Sequence, residues 1–590
     1  MKKFFTTAFA CTLGTLIAGL LLIVLFFITM VGVVASTASS GNETYIPQEK
    51  TVLRLTLSGS LQERYSEDPM QSLMSGGNNS QGLDQIRKAI KVAAENDNIE
   101  GIYIDARGLS AMPASSEEIR QLLVEFKQHS GKWIYAYADN YTQNDYIIAS
   151  VADSVIINPI GTVDIHGLGG LQIFYPELFA KLGIEYQIFR VGTYKSAVEP
   201  YMCDKMSDAN REQTMAYLNT TWETFADGVA ASRNFTTDYF NDIANSITSL
   251  RPTRDILACN LADTTMYRPE FDAWLKTKVG IDNDKEINFA SVAQLASTAQ
   301  PENKSKNTIA VVYAVGDIME TGGEGINSED LVPELTRIRK DDNIKAVVLR
   351  VNSPGGSAYA SEQIWAELEA IQAAGKKVVV SMGDMAASGG YYISCGADYI
   401  FAENTTLTGS IGVFGAVPSA EKLLTEKLGL KYDEARTHKY GNPLSGDFLY
   451  RKFGEGESIA FQRSIEECYD LFTRRCAEGR GMLQDDIKKI AEGRVWVGKT
   501  AVELGLVDSI GSIDDAIAYA AQLSEIEDYK VADYPTIKSS FEKLMEQLGG
   551  TSRITIASWI LGEDVEYLQA LRTIENTHPI QCRMENITIE

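Results

Sequence analysis

The segment Ala346-Val-Val-Leu-Arg-Val351-Asn-Ser-Pro-Gly-Gly-Ser357, with Val378-Val-Val-Ser-Met382-Gly-Asp-Met-Ala-Ala-Ser388-Gly-Gly390 after it, decides the fold class. Ala346–Val351 is a nearly continuous apolar run, the pattern of a strand buried on both faces. Asn352-Ser-Pro-Gly-Gly then breaks the run. Pro354 fixes the turn, and the glycines allow close backbone approach. Ala360–Ala373 places Ile364, Leu368 and Ile371 on one helical stripe. Val378–Met382 returns as a strand. This alternation predicts βαβ units and an α/β fold with mostly parallel sheets flanked by helices.

The same pattern occurs twice. Thr51-Val-Leu-Arg-Leu-Thr-Leu-Ser-Gly59 matches Thr308-Ile-Ala-Val-Val-Tyr-Ala-Val-Gly316, and Asn98-Ile99 matches Asn343-Ile344. Ser116-Glu117 and Ile119 match Ser361-Glu362 and Ile364. Gly131-Lys132 matches Gly375-Lys376, and Ala152-Asp153 matches Ala397-Asp398. Lys181-Leu-Gly-Ile-Glu-Tyr186 matches Lys427-Leu-Gly-Leu-Lys-Tyr432. A long, steady offset marks a duplicated domain and not a short solenoid repeat. The expected division is 1–40 for a cytoplasmic stub and membrane anchor, 41–300 for the first repeat, 301–535 for the second, and 536–590 for a tail. A helical segment at about 207–232 follows the first matched region, and polar Glu302–Asn307 reads as a linker.

With 590 residues, 45% apolar and 23% charged, the chain is too long for one core and ordinary in composition. A net charge of −25 argues against a nucleic-acid partner, which needs a basic stripe. The seven cysteines form no CxxC pair, and the four histidines form no HExxH. No metal site is therefore expected.

Lys2 and Lys3 precede a stretch without charge as far as Glu43. Its apolar heart, Leu13–Ala35, is about 34 Å long as a helix, enough for a bilayer core of about 30 Å. It exceeds the usual secretory h-region, although small residues at Ala35–Ala38 leave cleavage open. The lysines should remain inside, putting the N-terminus in the cytoplasm and the body outside.

Ser388 follows a strand and precedes a helix, a turn that presents a hydroxyl at the carboxyl end of a sheet. Gly389 can bend tightly and aim its N–H at an oxyanion. In the Asn352–Ser357 loop a glycine N–H, Gly356 in preference to Gly355, could be a second donor. Taken singly, each loop also suits an ordinary strand-to-helix turn. The chain has no GxSxG.

Together the loops resemble the signal peptide peptidase A family in its long tandem form, and more distantly the Clp protease and crotonase fold. The resemblance rests on Val351-Asn-Ser-Pro-Gly-Gly-Ser357, Met385-Ala-Ala-Ser388-Gly-Gly-Tyr391, Leu407-Thr-Gly-Ser410-Ile-Gly412 and Val191-Gly-Thr-Tyr-Lys195-Ser-Ala197. It implies a serine endopeptidase with Ser388 as nucleophile, Lys195 as general base and Ser410 orienting the lysine. It also implies apolar peptide substrates such as cleaved signal peptides, a homo-oligomer in the form of a tetramer, and no cofactor. A free lysine amine is protonated at neutral pH and is a poor base, so burial between the copies must disfavour its ammonium form.

The duplication bears on this assignment. The first-copy partner of Ser388 falls at Gln143 or Asn144, and the second-copy partner of Lys195 falls near Gly441. Each copy keeps one half of the pair, which predicts one active site at their junction. Lys439 stands as a rival base. A catalytically silent membrane scaffold and a crotonase-like acyl-CoA enzyme are the alternative functions.

Overall fold

The computed structural model describes residues 12–15, 17–19, 21, 45–65, 80–298, 305–322, 325–441, 451–537 and 580–584. Most of the expected anchor Leu13–Ala35, part of the linker Glu302–Asn307 and most of the tail 536–590 lie outside these residues. Among the described residues, no helix is long and apolar enough to cross a membrane.

Each copy builds its own sheet. In the first, strands run in the order Ser80–Gly82, Thr51–Gln62, Ile99–Ser110, Trp133–Ala138, Ser154–Ile157, Thr264–Thr265, with Asn288–Ser291 also paired to Thr51–Gln62. All of these pairings are parallel. The second sheet has the order Val495–Val497, Leu407–Gly409, Lys377–Ala387, Ile344–Ser353, Thr308–Val315, Lys530–Tyr534. Only its Val495–Val497 edge is antiparallel. Helix Ala358–Ala373 covers this sheet with Ile364, Leu368 and Ile371 buried, and Ser357 caps it by accepting from Ala360 N.

A third sheet, not anticipated from the sequence, joins the copies. Its order is Ile326–Asn327, Ile318–Met319, Gly355–Ser357, Ile580–Arg583, Val413–Ser419, Glu185–Val191. Glu185–Val191 comes from the first copy and pairs antiparallel with Val413–Ser419 over seven positions, from Val413 opposite Val191 to Ser419 opposite Glu185. This pairing carries the segment that follows Val191 to the end of the second sheet.

A buried polar seam fixes the two copies further. Arg350, 1% exposed, donates from Nε to Glu63 Oε2 at 2.9 Å and from Nη2 to Glu118 Oε2 at 2.8 Å. Burial raises the Glu118 carboxyl above its ordinary range, against the pull of Arg350. Asp384 accepts from Ser115 N at 2.8 Å, Ser115 Oγ at 2.6 Å and Asn352 Nδ2 at 3.1 Å. Paired charges at this depth are costly to break, because either one left alone is an unsolvated ion.

Candidate active site

Ser388 lies between strand Lys377–Ala387 and the short helix Gly389–Tyr392. The strand is longer than its apolar run. Beyond Met382 it pairs Met385–Ala387 with Leu407–Gly409. Ser388 has φ 55° and ψ −112°, a sparsely populated conformation for a residue with a Cβ. Such backbone costs on the order of 1–3 kcal/mol and persists only where the surroundings over-determine it. Here Ser388 N donates to Gly409 O and Tyr392 N donates to Ser388 O, both at 2.8 Å.

Lys195 leaves Glu185–Val191 through Gly192 and precedes a short 3-10 turn, Ser196–Val198. Its neighbours are tied down. Tyr194 N donates to Glu492 O at 2.9 Å. Gln213 donates from Nε2 to Tyr194 O at 3.0 Å and to Ser196 Oγ at 2.9 Å, and accepts from Val495 N at 3.2 Å. Gly493 lies against the lysine stem, and a Cβ there would stand 2.7 Å from Lys195 Cβ.

The amine then reaches the serine. Lys195 Nζ is 2.7 Å from Ser388 Oγ and 3.0 Å from both the carbonyl and the hydroxyl oxygens of Ser410. Lys195 and Ser410 are each 1% exposed, and Ser388 is fully buried. Ser410 has φ 49° and is held by donation from its N to Arg494 O at 2.7 Å. Lys439 is exposed, with its amine over the ring of Tyr440.

The two glycine loops converge on the same place. Gly355 and Gly356 have φ 101° and 156°, open to glycine alone at little cost. A Cβ on Gly355 would lie 2.6 Å from Gly389 N and 2.2 Å from the carbonyl oxygen of Cys582. A Cβ on Gly389 would lie 3.0 Å from that same oxygen. The Cys582 carbonyl therefore sits among the loops read from sequence as oxyanion donors. Cys582 belongs to Ile580–Arg583, with Gly356 opposite it on one side; on the other side Gln581 faces Phe414.

Sequence reasoning missed three contributors to this site. Ile580, Cys582 and Met584 alternate with polar residues, the period of a strand, but the pattern is too short to declare its neighbours. Gly493 and Gln213 carry no local signal, because their roles arise only from packing against the Lys195 segment. Among the described residues, no group of three His, Cys, Asp or Glu side chains is placed to hold a metal ion.

The fold is the Clp-protease-like α/β fold of a class of serine peptidases. The chain matches the model for peptidase family S49 over residues 126–282 and 370–527, and that for Clp protease over 310–406. It is 36% identical to Protease 4 of Salmonella typhi, covering 80% of this chain and 76% of that one. It is 33% identical to Protease 4 of Haemophilus influenzae, over 86% and 85% of the two chains. It is also 30% identical to the chloroplastic serine protease SPPA of Arabidopsis thaliana, over 92% of this chain and 78% of that one. The chain belongs to peptidase family S49, with two tandem S49 regions.

Proposed function

We propose that this serine peptidase is membrane-anchored and cuts apolar peptides, including cleaved signal peptides, with a Ser388–Lys195 dyad at the outer face of the cytoplasmic membrane. The observation carrying the reading is the 2.7 Å approach of a buried amine from one copy to a buried hydroxyl from the other. The cycle needs the amine neutral, and burial favours that form. A neutral amine has two N–H groups for the two Ser410 oxygens and one lone pair for the Ser388 hydroxyl.

Lys195 takes the Ser388 proton as the oxygen attacks a peptide carbonyl. Gly389 N–H and Gly356 N–H stabilise the oxyanion. Lys195 then hands the proton to the leaving amine and afterwards takes one from water, which releases the acyl group from Ser388. Ser410 holds the amine in line throughout. No step calls for a metal or an organic cofactor.

Topology and surface support the rest of the proposal. Leu13–Ala35 serves as the single anchor, and the catalytic body meets apolar peptides at the bilayer surface. A homotetramer accounts for Leu171, Ile173, Leu178 and Leu182, exposed on and before helix Pro176–Leu182, which buries none of its own residues. The test is cleavage of a synthetic signal peptide by folded, detergent-solubilised protein, with fluorophosphonate labelling mapped by mass spectrometry. Cleavage together with an adduct on Ser388 is expected. Folded protein that cuts no apolar peptide and takes no label would favour a silent scaffold.

A further inference from the structure

The face of the first sheet that packs against helix Arg268–Val279 carries a charge cluster that the proposed proton relay does not use. At its centre is the Asp105 carboxylate, 0% exposed, and three guanidiniums converge on it. Arg54 donates to Oδ2 from Nε at 2.9 Å and also from Nη2. Arg107 donates from Nε to the same oxygen at 3.1 Å, and Arg268 donates from Nη1 to Oδ1 at 3.2 Å. Burial pushes the Asp105 carboxyl up, but hydrogen bonds from Arg54 and Arg107 outweigh it and hold the group below its ordinary range. Three cations around one anion leave two positive charges uncompensated, in a chain whose net charge is −25.

Each arginine uses only part of its fork on Asp105. Among the described residues, Arg54 Nη1, Arg107 Nη1 and Arg268 Nη2 meet no protein acceptor. Two adjoining cavities, about 400 and 590 Å³, share Arg54, Arg107 and Phe289 in their walls. Tyr103, Arg268 and Lys276 complete the basic side of the larger one. Its other carboxylates lie outward: Asp272 is exposed, and Glu286 pairs with Lys276 at 3.7 Å with its own side chain 95% exposed. The forks are also held in place. The Arg54 guanidinium lies 5.8 Å from the ring centres of both Tyr103 and Phe289, and that of Arg268 lies 4.2 Å from Tyr137.

The second copy shows that the fold does not demand this cluster. Arg54 pairs across the sheet with Tyr103, and the matching pair in the second copy is Val311 with Val348. Those two valines are buried with Ile513, Ala516 and Ile517 of helix Ile513–Leu523, which closes that face with apolar contacts.

We propose that the first-copy cavity binds a phosphate-type oxyanion, held by Arg54, Arg107 and Arg268. Guanidinium forks match phosphate oxygens in paired hydrogen bonds. Two uncompensated charges and three forks suit a dianion with three or more oxygens better than a carboxylate, which has two. The rings of Tyr103 and Phe289 in the cavity wall give an organic group on the phosphate an apolar surface. Free phosphate and the phosphomonoester headgroup of a lipid share this chemistry. The site has no residue in common with the Ser388–Lys195 pair, so its test needs no peptide cleavage.

Full-length protein in neutral detergent is titrated by calorimetry with inorganic phosphate and, separately, with short-chain phosphatidic acid. Chloride at matched ionic strength and short-chain phosphatidylcholine are the controls. Saturable binding of one anion per chain is expected. Binding of inorganic phosphate assigns the site to the free anion, and binding of phosphatidic acid alone assigns it to a lipid headgroup. Affinity should fall about tenfold or more in Arg54→Ala and Arg107→Ala. It should stay unchanged in Arg254→Ala, which removes an 85% exposed cation outside the cavity. The Arg107 side chain is 51% exposed, so Arg107→Ala should keep the far-UV circular dichroism of wild type and report the contact alone. No saturable binding of either anion, equal binding of phosphatidylcholine, or wild-type affinity in Arg107→Ala overturns the site.

Discussion

The two copies end their central strands in turns of opposite character. In the first copy, Thr142 has φ −67° and ψ 162°, and its hydroxyl caps helix Gln143–Ala149 by accepting from Asp145 N. In the second copy, Ser388 has φ 55° and ψ −112°, makes no side-chain cap, and meets Lys195 instead. The backbone donors differ in the same way. Gly108 N and Leu109 N of the first copy donate to the Asp145 carboxylate at 2.8 and 3.0 Å. The corresponding glycine loops of the second copy face a carbonyl from a separate strand. One fold thus gives an end closed by a carboxylate of its own helix and an end covered by a strand from far along the chain. The first-copy turn is capped and relaxed, and the second-copy turn is strained and brings a hydroxyl to a buried amine.

The largest test of the comparison lies between the copies. Arg350→Ala should cost about 3–5 kcal/mol in denaturant unfolding, because it strands Glu63 and Glu118. Asp105, at the matching place in the first copy, should cost less on Ala substitution. Its partners Arg54, Arg107 and Arg268 are 31–51% exposed at their side chains, so those pairs are screened by water. Equal losses would break the distinction.

Gly356→Ala should come next. Its Cβ would stand 2.0 Å from Ile318 O, so the loop must shift. If Gly356 N–H stabilises the oxyanion, kcat should fall about 10²–10³-fold with the far-UV circular dichroism retained. A kcat equal to wild type would remove that residue from the mechanism. Asp145→Ala should have the smallest effect, about 1–3 kcal/mol of stability, from leaving Gly108 N and Leu109 N without their acceptor. Its kcat should match that of wild type, since the first-copy turn does no chemistry. A large drop in kcat would give that turn a role the comparison denies it.

Much of this was legible in the residues, for physical reasons. Apolar runs such as Thr308–Val315 and Ala346–Val351 are local, and so are the stripe of Ile364, Leu368 and Ile371 and the glycines flanking Ser388. The duplication added long-range information, because it showed which copy kept serine and which kept lysine. The reach of Lys377–Ala387 was not legible. Val378–Met382 reads as the whole strand, yet it continues to Ala387 by exchanging one neighbour, Tyr399–Ala402, for Leu407–Gly409 while keeping Ile344–Ser353 on its other side. The joining sheet was hidden for a related reason: pairing of Ile580–Arg583 with Gly355–Ser357 spans more than two hundred residues and leaves no periodic trace. Arg350 looked like one charge in an apolar strand, and its carboxylate partners come from the other copy.

The most direct measurement compares kcat/KM for Ser388→Ala, Lys195→Ala and the double variant on one apolar peptide. Residues that act as a unit are grossly non-additive, so each single variant and the double should all lose about the same, at least ~10⁴-fold. A double variant whose loss is the product of the two single losses, or a Lys195→Ala enzyme close to wild type, would contradict one shared proton at the junction of the copies.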